Sequence, residues 1–223
     1  MGRRFDPDRA HSPSRFWTKQ CGAFFYHSEI LYLQGVIPKT VEQRLSRTLL
    51  LVGPIVTFVI TPWFNLDPIN LGKCLALTSI AFLLTGLLVP YSKDVVNLLG
   101  KKLIFVCLVF VVCLSLPLIF TAAPIPQQIY GQFGRNTGIL TYVSLLLVLV
   151  LSAVPSSIAH YKNIPVSLLT TQSLMTIYCL LQLFKKDPIR WSAYYTFGTL
   201  GNVNFLSGFM GIAVVVSLIL AFQ

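Results

Sequence analysis

Six long apolar runs, separated by short polar connections, constrain this chain more than any other feature. They lie at about 48–64, 72–90, 103–121, 138–158, 166–184 and 205–222. Each is close to the roughly 20 residues needed to cross about 30 Å of hydrocarbon as a helix. Backbone N–H and C=O groups find no water inside a bilayer, so only helices and closed barrels span one. The runs are continuous rather than alternating, which selects helices over barrel strands. Composition agrees: 55% of the 223 residues are hydrophobic and only 11% charged, against about 25% charged in a soluble domain. The fold expected is an all-α membrane protein, a polytopic bundle of about six transmembrane helices.

The formal net charge is +10. Nucleic acid is one partner of such a charge, but no interleaving of basic and aromatic residues typical of an RNA-binding surface is present. In a multispan protein the excess reads as basic cytoplasmic flanks. Residues 1–47 are polar and basic and are expected to form a cytoplasmic or interfacial segment, with residues 48–223 the six-helix transmembrane domain. The stretch 16–32, rich in Phe, Trp and Tyr, reads either as an interfacial helix or as a loose tail with anchoring aromatics. An inside N-terminus places twelve Lys and Arg on the inner side and five on the outer. The positive-inside rule therefore puts the N-terminus in the cytoplasm. Short connections suggest that consecutive spans pack as antiparallel neighbours. Pro54 and Pro62 suggest a kink in the first span.

Five cysteines, at 21, 74, 107, 113 and 179, form no CxxC or zinc-like spacing. They read as packing thiols. Neither a metal nor a cofactor is expected. No HExxH, GxSxG, P-loop or dinucleotide motif is present. The spans hold essentially no charge, which argues against a conduction path.

Two outward loops carry the polar chemistry. The first, at 122–137, ends in Gly134-Arg135-Asn136-Thr137, with Gly138 opening the next span. The second, at 185–204, holds Lys185, Lys186, Arg190, Gly198, Gly201, Asn202 and Asn204. Outward Arg135, Lys186 and Arg190 oppose the positive-inside trend. A guanidinium grips a phosphate bidentately, and a helix start presents free N–H groups and a partial positive charge. A pyrophosphate at the outer leaflet would suit Arg135. The alternative is that Arg135 snorkels to the interface while Gly134 and Gly138 allow close helix packing as a GxxxG pair. Gly198 and Gly201 suggest turns. Asn202 and Asn204 suggest an N-cap for the last span, with Asn204 the better placed.

Together these loops resemble the bacterial O-antigen ligase and polymerase superfamily. The stretch 132–142, Gln-Phe-Gly-Arg-Asn-Thr-Gly-Ile-Leu-Thr-Tyr, is similar to that family's Gly-Arg-x-x-Gly opening of a span. The stretch 196–206, Thr-Phe-Gly-Thr-Leu-Gly-Asn-Val-Asn-Phe-Leu, is similar to its Gly-x-x-Gly-Asn-Pro-Asn-Phe-Leu element, with Val203 in place of the proline. The resemblance implies a multi-pass enzyme of the bacterial inner membrane. Such an enzyme transfers a glycan from undecaprenyl pyrophosphate, at the periplasmic face, to an acceptor hydroxyl by inverting, metal-independent chemistry. It implies Arg135 as a pyrophosphate contact; Lys186 and Arg190 are candidates by placement.

The resemblance covers about residues 45–223 and corresponds to the family's N-terminal half. The family's essential histidine lies in its second half, and His11, His27 and His160 all fall on the expected cytoplasmic side. The chain is therefore expected to be inactive alone and to need a further segment or another membrane subunit. The competing reading is a non-catalytic structural subunit of a larger membrane complex, and a small transporter is a third. Membrane lipid is a partner in every case, and nucleic acid in none.

Overall fold

The computed structural model describes residues 37–63, 67–132, 134–155, 158–189, 191 and 196–222. The aromatic stretch 16–32, Cys21, His11, His27 and Arg190 lie outside the described residues. Among the described residues every regular element is helical: α1 Lys39–Phe58, α2 Asn70–Leu88, a 3-10 turn Val89–Tyr91, α3 Ser92–Phe120, the short α4 Ile125–Tyr130, α5 Ile139–Ser152, α6 Ile158–Leu183 and α7 Val203–Ala221.

Three stretches are long and apolar enough to cross a membrane: Asn70–Phe120, His160–Leu183 and Val203–Ala221. The most apolar windows of the first and third bury nothing inside the protein. Phe105, Val106, Val112, Ile119 and Phe120 of α3 are all exposed. Apolar surface on this scale is stable in lipid and not in water, which marks the chain as a membrane protein.

The 51-residue stretch Asn70–Phe120 would be about 76 Å long as one straight helix, more than twice the hydrocarbon thickness. It is not straight. The turn Val89–Tyr91 ends α2, and Gly100 inside α3 has φ 73° and ψ 152°. Glycine reaches that region at little cost. The stretch thus contains two separate apolar runs, as the sequence indicates.

Several boundaries differ from the sequence reading. Helix α1 begins at Lys39, so residues 39–47 of the basic segment are already helical, and it ends at Phe58 rather than near 64. Pro62 explains the early end, because a proline disfavours helix in the residue before it and offers no N–H itself. Helix α5 stops at Ser152, just before buried Val154 and Pro155. Its 14 residues span only about 21 Å. Helix α6 starts at Ile158 and runs through Lys162 and Pro165, where a loop is expected.

Packing does not follow chain order. Helix α2 packs on α5 and α1, and α1 packs on α6, with α7 on the far side of α6 and α3 against α5. The expected consecutive antiparallel neighbours are therefore replaced by a core of α1, α2, α5 and α6. The reason is visible in polar contacts that only non-consecutive helices make. Ser167 Oγ donates to the Leu50 carbonyl at 2.6 Å, and Ser46 Oγ shares a 2.7 Å hydrogen bond with His160 Nδ1. Ser144 Oγ donates to Thr78 Oγ1 at 3.2 Å, and Gln172 Nε2 donates to the Phe209 carbonyl at 2.7 Å. In lipid such bonds contribute roughly 1 kcal/mol each. At the end where α1 starts, Leu45, Leu84, Leu88, Leu151 and Val154 form an apolar cluster. The opposite end is polar and holds the candidate site.

Candidate functional site

Three loops meet at this polar end: residues 59–69, 121–138 and 184–202. Each is fastened to another by atoms far apart in sequence. Lys73, in the first turn of α2, donates from Nζ to the Thr57 carbonyl at 3.0 Å and to the Thr199 carbonyl at 2.6 Å. Thr199 Oγ1 donates to the same Thr57 carbonyl at 2.7 Å. The end of α1, the start of α2 and the third loop are thereby held by one ammonium. Thr57 is one of the last α1 carbonyls, which carry partial negative charge and no helical partner. That is a fitting acceptor for a cation.

Asp67 binds the second loop. One carboxylate oxygen accepts from Asn70 N–H at 2.9 Å, the first N–H of α2. The other accepts from Asn136 Nδ2. Asn70 Nδ2 in turn donates to the Gly134 carbonyl at 2.5 Å. Asp67 is 4% exposed and Asn136 8%, and a carboxylate this buried is stable only when fully engaged by donors. The α2 N-terminus adds a favourable partial charge. Asn136 has φ 50°, a left-handed conformation that Asn tolerates better than most residues. That conformation lets its side chain reach back to Asp67 while its carbonyl accepts from Thr141 Oγ1 at 2.7 Å.

The third loop has its own brace. Gln182 Oε1 accepts from the N–H groups of Phe197 and Gly198 at 3.2 and 2.9 Å. Its Nε2 donates to Asp187 at 3.0 Å. Tyr178 Oη and Trp191 Nε1 also donate to Asp187, and Trp191 stacks edge-on against Phe197. Gly198 and Gly201 both have positive φ. A Cβ on Gly198 would meet Met175 Sδ at 2.7 Å, and one on Gly201 would meet Ile69 Cδ1 at 2.8 Å. Both glycines are therefore required by conformation and by close approach.

The candidate residues from the sequence divide into two groups. Asn136, Gly134 and Gly201 join the polar face through the contacts above. Arg135 is exposed, and its side chain engages no other described residue. Lys186 is likewise exposed. Arg190 lies outside the described residues.

Three expectations need correction. Gly134 and Gly138 do not pack helices together. Both precede α5, nothing lies within 4 Å of a Cβ on Gly134, and the close approach is between Gly138 and the α4 end, 2.2 Å from the Ile129 carbonyl. The N-cap of α7 is Asn202, not Asn204: Asn202 Oδ1 accepts from Asn204 N–H at 2.8 Å, while Asn204 sits inside the first turn. The absence of charge from the spans is also incomplete, since Lys73 lies within α2.

No protein-family model, curated protein or solved structure matches the chain.

Sequence reasoning missed Asp67, Asn70, Lys73 and Gln182 as parts of the site. The signal available was a lysine embedded in an apolar run, which by default marks function or a specific partner. Counting it only as an outer-side charge hid that signal. Chemically, the face combines a fixed cation, exposed Arg135 with five N–H donors in a planar fork, and several amides. Such a set can bind a phosphate ester. Among the described residues it contains no histidine, because His160 lies at the other end beside Ser46.

Proposed function

We propose that this chain forms the donor-side part of a membrane glycan transferase of the O-antigen ligase type. It works on undecaprenyl-pyrophosphate-linked glycan at the periplasmic face of the bacterial inner membrane. In this reading the chain crosses the bilayer six times with its N-terminus in the cytoplasm, and the polar face is periplasmic. The observation that supports it is the convergence of both ligase-like loops on one end of the bundle. Asp67 and Asn70 hold the loop of Arg135, while Lys73 holds the loop of Thr199. Arg135 contacts the leaving pyrophosphate, with Lys186 and Arg190 adding positive potential. Cations aimed at the developing charge lower the barrier to glycosyl transfer. The base for the acceptor hydroxyl comes from another segment or subunit.

The test is glycan transfer in native membranes carrying Arg135→Ala. Loss of transfer, accumulation of the lipid-linked donor and unchanged thermal stability of the chain support the reading. Unchanged transfer overturns it and favours a scaffold subunit. The observation favouring that second reading is that the Asp67–Asn70–Asn136 network closes on itself, as a purely structural knot does.

A further inference from the structure

The end of the bundle away from these loops holds a groove that the proposed reaction does not use. It lies between the first half of α1 and the second half of α2 and has a volume of about 480 Å³. Helix α1 contributes Arg44, Arg47 and Thr48. These positions recur at i, i+3 and i+4 and so share one face. Helix α2 contributes Ile80, Leu83, Leu84 and Leu87, again on one face by the same spacing. The chemistry is divided between an apolar floor and wall and two guanidinium groups at the rim. Both arginines are exposed, and neither forms an ion pair among the described residues. Leu83, at 74% exposure, leaves the apolar side open to acyl chains.

The geometry points to a binding site for one anionic phospholipid, its phosphodiester held by Arg44 and Arg47 and one acyl chain lying along Ile80, Leu83 and Leu87. Charge selects the headgroup, because basic pockets between membrane helices attract anionic lipid and the guanidinium fork fits phosphate oxygens. The groove selects lipid over a soluble phosphate, because an aqueous anion would leave its apolar wall uncovered. A zwitterionic lipid carries its own cation and gains less from two arginines. The inference stands on this groove alone and does not depend on the glycan-transfer reading.

The experiment places the full chain in nanodiscs of mixed phosphatidylglycerol and phosphatidylcholine and counts the lipids retained after gentle release by native mass spectrometry. The wild-type chain retains phosphatidylglycerol selectively. Arg44→Gln/Arg47→Gln lowers that retention by about tenfold or more. Lys101→Gln/Lys102→Gln, which removes the same charge from exposed positions outside the groove, leaves retention unchanged. Leu83→Trp, which fills the groove without touching charge, lowers retention as well. Equal loss in both charge variants would reduce the effect to net charge and overturn the proposal. So would displacement of the lipid by soluble glycerol phosphate, or retention that ignores Leu83→Trp.

Discussion

Lys73 Nζ and the Thr199 carbonyl lie 2.6 Å apart across 126 residues of sequence. The same ammonium reaches the Thr57 carbonyl, so one side chain joins three segments. Lys73→Met should leave both carbonyls without this donor and destabilise the protein by about 1–3 kcal/mol, the range for hydrogen bonds to charged groups. Thermal unfolding in detergent measures it. Lys73→Arg should recover little, because a planar fork does not reproduce the converging bonds of a compact ammonium. Full recovery by arginine would show that charge alone matters there.

Asp67 and Asn136 should be energetically coupled. Either Asp67→Ala or Asn136→Ala strands the other's buried polar group, so the double variant should cost less than the sum of the two single variants. A coupling of roughly 0.5–3 kcal/mol is expected for residues in one hydrogen-bonded network. Additive losses would mean that the two side chains act independently.

Gly138→Ala should be far more damaging than Gly86→Ala. A Cβ at 138 would sit 2.2 Å from the Ile129 carbonyl and 2.3 Å from Gly131 N, both backbone atoms, whereas position 86 has nothing within 4 Å. Gly86→Ala within α2 should be neutral or stabilising in a helix. Folded yield and unfolding temperature distinguish the two variants, and equal tolerance would contradict the backbone-to-backbone contact.

Arg135→Lys should behave like Arg135→Ala in glycan transfer, because a point charge cannot make the bidentate grip on pyrophosphate. Its unfolding temperature should match the wild type, since Arg135 engages no other described residue. Transfer restored by lysine would leave only a general electrostatic role for position 135.

Much of the architecture is legible from the sequence, because long apolar runs admit few solutions. The helices α2, α3, α5, α6 and α7 each contain one of the expected runs, and both glycine-rich loops fall at one end. Boundaries were less legible. Pro62 ends α1 early, while Pro165 does not interrupt α6, and a local proline signal alone does not separate those cases. The pairing of α1 with α6 and of α2 with α5 was not legible at all. It depends on which serines and threonines face each other, as Ser167 meets Leu50 and Ser144 meets Thr78, and hydropathy does not record facing. The site shows the same limit. Arg135 stood out by its charge, whereas Asp67 and Asn70 gain meaning only from the loop that they hold.

The torsion at Gly100 has a consequence beyond local shape. It lets the chain reverse within a stretch that would otherwise be one rod, so residues 101–120 return toward the end from which α2 came. A chain that ran straight there would emerge on the wrong side, and every later segment would be inverted. Arg135, Asn136 and Thr199 would then face away from Asp67 and Lys73, with each helix intact and the assembled face lost. The handedness of one glycine backbone thus acts as the sidedness determinant for everything that follows it.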